Sequence, residues 1–230
     1  MRILNLYAGI GGNRKLWGDE HKVTAVELNA AIAAVYQDLY PDDTVIVSDA
    51  HQYLIDHYAE FDFIWSSPPC PTHSRARYGL GFHGHGFAAV YPDMRLYQEI
   101  ILLKHHFKGR YCIENVQAYY KPLIEPLSIG RHWYWSNFLI RKIQVEYSGL
   151  TGGITTSSNK RLIRKTTEEL ETHLGYDLSK YKIINKRLLL RNCVEPTVGL
   201  HILNASMEIF EQGALFHDTP NLLTTTEEKT

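Results

Sequence analysis

Apolar runs alternate with helix-like segments over the first two thirds of the chain. Five of these runs predict buried strands: residues 2–7, 22–28, 43–49, 61–67 and 109–115. Residues 29–40 and 93–107 carry apolar side chains three or four positions apart, which predicts helices. A later apolar run, residues 134–143, predicts a further strand. Apolar strands that alternate with helices predict a parallel sheet covered on both faces.

The pattern changes at about residue 148, where Gly, Ser and Thr become frequent and cations cluster. Residues 149–191 contain nine Lys and Arg residues and four Asp and Glu residues, an excess of five positive charges. A solvated helical face and a phosphate-contacting segment both fit this composition. An amphipathic helix pattern returns over residues 191–210, and the polar tail after it predicts a frayed end.

The composition indicates the size class and the cellular compartment of the protein more clearly than its activity. The 230 residues fit one globular domain, and the formal net charge of -1 gives no sign of nucleic-acid binding, which must rest on local charge. The sequence has no apolar run of the roughly 18 residues that a membrane span needs, and no signal-peptide pattern. Three distant cysteines, Cys70, Cys112 and Cys193, disfavour a disulfide framework or a thiolate zinc site and favour a reducing, cytoplasmic setting.

A glycine loop, residues 7–13, follows the first predicted strand and precedes a predicted helix. It begins with Tyr7 and contains Gly9, Gly11 and Gly12, but it lacks the third glycine of the dinucleotide fingerprint, so a tight structural turn is an alternative. The next two strands end in carboxylates, which suit ribose hydroxyls in the case of Glu27 and an adenine amino group in the case of Asp49. Each acid alone fits an ordinary helix cap. Together they predict an adenosine cofactor site at the carboxyl ends of the strands.

The fourth predicted strand ends in Ser-Ser-Pro-Pro-Cys, with the thiol at Cys70. Two prolines fix the backbone there and hold the thiol at the rim of the predicted cofactor site. A structural cysteine normally lies within an apolar run, as Cys112 does, so Cys70 is predicted to be a nucleophile. Nearby His73, Arg75 and Arg77 are expected to lower its pKa. The fifth strand ends at Glu114 and Asn115, where the carboxylate is a candidate acid or, alternatively, a helix cap.

These motifs resemble those of DNA (cytosine-5)-methyltransferases of the small prokaryotic or phage type. "LYAGIGG" is similar to the first motif of that family, and "SSPPCPTHS" to its Pro-Pro-Cys motif. "ENV" matches its Glu-Asn-Val motif, and "RNCVEPTVGLHIL" resembles its C-terminal Asn-x-Val motif. The four motifs occur in the family's order from residue 4 to about residue 205.

The resemblance implies an α/β fold, the Rossmann-like class I S-adenosylmethionine-dependent methyltransferase fold, with a mostly parallel seven-stranded sheet. It implies a catalytic cofactor-binding domain (1–147), a short basic target-recognition insert (148–188), a returning C-terminal helix (189–216) and a flexible tail (217–230). The cofactor is S-adenosyl-L-methionine and its product is S-adenosyl-L-homocysteine. The residues implied to bind it are Tyr7, Ala8, Gly9, Gly11, Gly12, Glu27, Leu28, Asp49, Ala50, Pro68, Asn192 and Val194.

The resemblance also assigns the chemistry, because carbon 5 of cytosine is a poor nucleophile until a thiolate adds at carbon 6. Cys70 is implied to attack, Glu114 to contact ring nitrogen 3 and the exocyclic amine, and Asn115 to orient the loop that carries the thiol. The base has to leave the duplex to be reached. The residues implied to contact DNA are Ser74, Arg75, Arg77, Lys160, Arg161, Arg164 and Lys165, and residues 77–91 with their glycines are implied to form a lid.

The sequence departs from the family pattern at several positions. Tyr7 stands where Phe is usual, Ser66 and Ser67 replace glycines, and Pro71 replaces glutamine. The family's second arginine, which holds the cytosine carbonyl, is Arg131 if charge guides the alignment and His132 if the following aromatic strand does. The target-recognition segment is short, which predicts relaxed specificity or the need for a partner.

The partners that follow are duplex DNA with a flipped cytosine and, as a further possibility, a restriction endonuclease or another specificity partner. A monomer in the cytoplasm of a bacterial host, encoded by the cell or by a phage, and no membrane contact are expected. No metal is expected, since His83 and His85 on a glycine-rich loop are poor evidence for one. Alternatives are a tRNA cytosine-5 methyltransferase, a non-catalytic DNA-binding relative and a nicotinamide-dependent oxidoreductase.

Overall fold

A computed structural model of the chain describes residues 1–75, 90–144 and 166–208. Its sheet has seven strands in the order β3-β2-β1-β4-β5-β7-β6. The strands are β1 (Arg2–Leu6), β2 (Lys22–Glu27), β3 (Thr44–Val47), β4 (Phe63–Ser66), β5 (Arg110–Val116), β6 (Leu127–Ile129) and β7 (His132–Ser136). The first five are parallel to one another, whereas β7 is antiparallel to both β5 and β6.

Six α-helices lie in the described residues. They are α1 (Ala30–Leu39), α2 (Ala50–His57), α3 (Arg95–His106), α4 (Thr167–Leu174), α5 (Lys186–Arg191) and α6 (Pro196–Met207). The side chain of Asn29 caps α1 and that of Asp49 caps α2, each accepting hydrogen bonds from the first-turn amides. Thr166 and Glu169 form a reciprocal capping box at the start of α4, and Gly175 ends this helix in the left-handed conformation.

Both faces of the sheet are buried, as the apolar strands predicted. Alternate strand residues point to opposite faces: Leu4, Ile64 and Ile113 pack with α2 and α3, whereas Ile3 and Phe63 pack with α6. A third apolar cluster joins α4 and α5 to α1 and to the glycine loop. The C-terminal third of the described chain therefore packs directly against the end of the sheet where the predicted site lies.

Several predicted elements have different bounds in the structure. The helix expected after the glycine loop is a single 3-10 turn, Arg14–Leu16. The strand expected over 134–143 is β7, and it ends at Ser136 because the Asn137 side chain then bonds the amide of Tyr111 and the carbonyl of Gly109 in place of ladder partners. The pattern did not reveal β6.

The helix pattern over 191–210 corresponds to two helices. Residues 192–195 separate α5 from α6, and α6 begins with Pro196 in its first turn. Proline has no amide hydrogen and its φ suits a first helical position, so it starts a helix more readily than it continues one. In this break, the Val194 backbone and the Cys193 side chain approach Gly12 of the glycine loop.

No helix in the part of the chain that the structure describes is long and apolar enough to cross a membrane. Within those same residues, no three His, Cys, Asp or Glu side chains are grouped in a way that could hold a metal ion.

Candidate active site

A cavity of about 470 Å³ opens at the carboxyl ends of β1, β2, β4 and β5. Its size lies within the roughly 300–1,000 Å³ that is usual for small-molecule sites. Its lining residues come from the glycine loop, the two strand-end motifs and the segment between α5 and α6. Those named by the sequence are Tyr7, Ala8, Gly9, Gly12, Glu27, Pro68, Cys70, Glu114, Asn115, Asn192 and Val194, and His132 lines it too.

The glycine loop takes a backbone path that glycine permits. Gly9 has φ +56° and Gly11 has φ +78°, both in the left-handed region. A Cβ at Gly9 would meet no atom within 4 Å, so the backbone there faces open space. Tyr7 adopts φ 56°, which is uncommon for a residue with a side chain.

Glu27, the last residue of β2, holds the glycine loop against the end of this strand through hydrogen bonds. One carboxylate oxygen accepts the Gly9 amide at 3.0 Å, and the other accepts the Asn29 amide at 2.8 Å. Each carboxylate oxygen has a second lone pair that remains for another donor. A carboxylate held in this way on the cavity wall fits the paired hydroxyls of a ribose.

Two tyrosines and the segment between α5 and α6 also contact the glycine loop. The Gly11 carbonyl accepts hydrogen bonds from the Tyr40 and Tyr176 hydroxyls, each at 3.0 Å. A Cβ at Gly12 would lie 2.6 Å from the Val194 carbonyl oxygen, so only glycine allows this approach. Sequence reasoning missed both Tyr40 and Tyr176, because they lie 29 and 165 positions from Gly11 and belong to none of the motifs.

Four predicted cofactor residues do not line the cavity: Gly11, Leu28, Asp49 and Ala50. Gly11 acts through its neighbours in the loop. Leu28 is 69% exposed, next to Glu27 at the rim. Asp49 is the cap of α2, accepting the Gln52 amide at 3.0 Å, and its other oxygen lies 3.7 Å from Arg95.

The loop that carries Cys70, residues 67–74, is tied to β5. The side-chain amide of Asn115 donates to the Pro68 carbonyl at 2.9 Å. The Cys70 carbonyl accepts the amides of His73 and Ser74 at 3.0 and 3.1 Å, and Ser74 forms an isolated bridge with Ala118. The two motifs that are far apart in sequence, Pro-Pro-Cys and Glu-Asn-Val, thus meet through a hydrogen bond.

The expectation that cations lower the pKa of Cys70 is wrong for the described residues. Burial, followed by the charge of Glu114, raises the pKa of the Cys70 thiol to about 11. His73 is buried, with Nδ1 against the Tyr120 hydroxyl, and burial lowers its own pKa. Arg75 donates to the Ala118 carbonyl at 3.1 Å. The groups that shift the pKa of Cys70 include neither His73 nor Arg75.

Strand register decides which residue lies beside Glu114. In the β5–β7 pair, Val116 is opposite His132 and Glu114 is opposite Tyr134, so Glu114 and His132 share one face of the sheet. His132 Nε2 lies 3.6 Å from a Glu114 oxygen. Arg131 precedes the strand, and its carbonyl accepts the Gln117 amide. Only His132 of the two lines the cavity.

The remaining predicted residues lie beside the site or outside the described chain. Ser74 and Arg75 lie in and just after the loop that carries Cys70. The predicted DNA contacts Arg77, Lys160, Arg161, Arg164 and Lys165 lie outside the described residues, as do His83, His85 and nearly all of the predicted lid.

The sheet and the cavity define a class of protein. Five parallel strands, an antiparallel seventh strand and a cofactor-sized cavity at the carboxyl ends form the Rossmann-like class I fold of S-adenosylmethionine-dependent methyltransferases. A family model for C-5 cytosine-specific DNA methylases matches residues 1–118. The match spans just over half of the 230 residues, and the chain belongs to this family. No curated protein sequence matches the chain.

Several solved structures are similar to this one. An Entamoeba histolytica methyltransferase, EhMeth, is 11% identical and has a TM-score of 0.55, with 90% of this chain and 97% of that chain covered. A Spodoptera frugiperda DNMT2 mutant is 25% identical, with a TM-score of 0.36 and coverage of 50% of this chain and 35% of that chain. A putative DNA modification methyltransferase from an E. coli prophage is 18% identical, with a TM-score of 0.34 and coverage of 53% and 33%. The first likeness supports the fold alone.

Proposed function

We propose that the protein transfers a methyl group from S-adenosylmethionine to carbon 5 of a flipped cytosine in DNA, through a covalent bond to Cys70. One observation carries the proposal: a thiol and a strand-end carboxylate, Cys70 and Glu114, line one cavity together with a glycine loop and Glu27. A cofactor that approaches the glycine backbone and a pyrimidine that needs a nucleophile and an acid both fit this cavity.

The residues present fit an adenosine cofactor. The open space at Gly9 admits close approach to the backbone, and the Glu27 carboxylate is held at the position where ribose hydroxyls would donate. Asn192 and Val194 cover the loop from the C-terminal side. When bound, S-adenosylmethionine supplies an electrophilic methyl group.

The raised pKa of Cys70 gives the reaction an order. Before a base binds, burial and the Glu114 charge keep Cys70 as a thiol. In the proposal, the proton of the Cys70 thiol passes to Glu114, which shares it with ring nitrogen 3 of the bound cytosine. The carboxylate charge that opposes the thiolate is thereby reduced, so the thiolate becomes easier to form when the substrate is present. Cys70 then bonds carbon 6, and the electron pair moves to carbon 5, which takes the methyl group. Loss of the carbon 5 proton to a base returns the pair and breaks the sulfur–carbon bond.

Asn115 and His132 support this chemistry in the proposal. Asn115 holds the Pro68 carbonyl and thereby the loop that presents Cys70. His132, at 3.6 Å from Glu114, takes the place of the family's second arginine as the donor nearest the base. Arg131, the choice when charge guides the alignment, does not have that role in the proposal.

The substrate in this proposal is DNA, since the family model is that of DNA methylases. Carbon 6 of a stacked and paired cytosine is out of reach of a thiol, so the base has to be flipped into the cavity at a cost of a few kcal/mol. The basic insert is proposed to contact phosphates, which hold the duplex in place without reading the sequence.

The test is transfer of labelled methyl from S-adenosylmethionine to mixed-sequence duplex DNA, with base-resolution mapping. We expect label on carbon 5 of cytosine with the native chain and none with Cys70→Ala, while Cys70→Ala still binds the cofactor. Label that persists in Cys70→Ala would refute the covalent route. Label on tRNA in place of DNA would support the methyl transfer to cytosine but refute DNA as the substrate.

A further inference from the structure

A fully buried carboxylate lies behind the cofactor side of the cavity, and the proposed reaction does not use it. Glu99 on α3 is 0% exposed. Its Oε1 accepts the Tyr7 hydroxyl at 2.6 Å and faces His51 Nδ1 at 3.0 Å, and its Oε2 accepts the Ser66 hydroxyl at 2.6 Å. A buried carboxylate needs such partners, because an unpaired one would be strongly disfavoured.

The three partners of Glu99 come from three segments that border the cavity. Tyr7 follows β1 and is one of the residues that line the cavity, whereas Ser66 ends β4 directly before the loop that carries Cys70. His51 lies in the first turn of α2, which Asp49 caps. One side chain on α3 therefore bonds the ends of two neighbouring strands and the start of a helix.

Two of these bonds use residues at which the sequence departs from its family. The hydroxyl of Tyr7 replaces a phenylalanine, and the hydroxyl of Ser66 replaces a glycine that could not donate. Both departures place their oxygens on the same carboxylate.

The backbone of Tyr7 points to a purpose beyond stability. Its φ of 56° lies in a region that non-glycine residues seldom occupy, and such strain persists only where the surroundings hold it. Burial, followed by the charge of Glu99, raises the pKa of the Tyr7 hydroxyl, so it stays protonated and donates. The hydrogen bond holds the hydroxyl end of the Tyr7 side chain on Glu99.

We propose that Glu99 is a positioning residue for the cofactor, and that it acts by holding the Tyr7 ring on the cavity wall. This inference rests on the proposed use of S-adenosylmethionine and deepens it. Without this hydrogen bond, the Tyr7 side chain would be free to turn, and the cofactor would lack a fixed surface on that side of the cavity.

The test is a double-mutant cycle on binding, with the affinity of the intact chain for S-adenosylmethionine measured by calorimetry. Glu99→Gln, an isosteric change, is expected to weaken binding about tenfold, and Tyr7→Phe by about threefold to tenfold. In the Tyr7→Phe background, Glu99→Gln should cost less than about threefold, because its target hydroxyl is absent. Tyr97→Phe is the matched control, since it removes another buried hydroxyl of α3 that accepts the Leu123 amide away from the cavity.

A merely structural carboxylate would lower the melting temperature of the variants and leave their affinities unchanged, which would overturn the inference. Equal losses from Glu99→Gln in both backgrounds would overturn it as well. If Glu99→Gln fails to fold, Tyr7→Phe decides alone, and native affinity in that variant counts against the inference. A native chain that binds no S-adenosylmethionine would refute the proposed function together with this role for Glu99.

Discussion

At the scale of single residues, the state of Cys70 depends on its neighbour across the cavity. Glu114 is expected to have two opposed effects, since its charge disfavours the thiolate in the free enzyme and, in the proposal, the proton that it then shares with ring nitrogen 3 assists the bound base. One substitution can separate them. Glu114→Gln should speed alkylation of Cys70 by iodoacetamide by about threefold to tenfold near pH 8, because a lower pKa means more thiolate. The same variant should transfer methyl groups about 100-fold to 1,000-fold more slowly.

The background for that alkylation is set by the other two thiols. Burial raises the pKa of Cys112 well above its usual value and that of Cys193 to about 12, so both should react slowly. Cys70→Ala gives the residual rate to subtract. Alkylation that slows in Glu114→Gln would mean that the carboxylate does not oppose the thiolate.

A second prediction at this scale separates two adjacent residues. His132→Ala is expected to lower kcat/KM by about 100-fold, in the range measured for the loss of a donor from a transition state. Arg131→Ala, one position earlier and outside the cavity lining, should change it less than about threefold. The reverse order would show that the arginine reaches the base and that His132 only borders the cavity.

At the scale of elements, the site depends on contact between α6 and the turn at Asn13, the last residue of the glycine loop. A Cβ at Gly199 would lie 2.3 Å from the Asn13 carbonyl oxygen, so Gly199→Ala has to push α6 away from that turn. We expect a loss of about 1–3 kcal/mol in the free energy of unfolding and weaker cofactor binding, since Asn13 lines the cavity. Asn204→Ala, at an exposed position of the same helix, should stay within about 0.5 kcal/mol of the native value. Denaturant unfolding measures both, and a stable Gly199→Ala chain would contradict the contact.

Elements also show how far sequence reasoning reaches. The five parallel strands were predictable because residues such as Ile3 and Leu4 are both buried, on opposite faces, and give a continuous apolar run. The three-residue β6 has no such run, and the end of β7 depends on the Asn137 side chain bonding β5. The meeting of Cys70 and Glu114 at one cavity was predictable from their motifs, and their catalytic roles stay predictions. The raised pKa of Cys70 was not, because it depends on burial in the folded chain.

At the scale of the whole molecule, the proposed DNA binding would have to be carried by a local region, because the net charge is -1. The excess of five positive charges over residues 149–191 is the candidate, although part of it is already engaged. Lys180 pairs with Asp38 at 2.7 Å, and the Lys186 amine donates to the Leu178 carbonyl. These lysines therefore have fixed partners within the protein. The four cations at 160, 161, 164 and 165 are thus the main test of a phosphate-contacting insert.

Replacing Lys160, Arg161, Arg164 and Lys165 with glutamine should weaken DNA binding and flatten its dependence on salt. Each phosphate contact contributes about 0.9 to the slope of log K against log salt concentration, so loss of all four would reduce the slope by about 3.6. The control is the double variant Lys104→Gln, Lys108→Gln. These residues lie at the end of α3 and just before β5, at the amino ends of the parallel strands and so opposite the cavity. An unchanged slope in the fourfold variant would mean that these cations form a solvated face, and that the duplex is held by other parts of the chain.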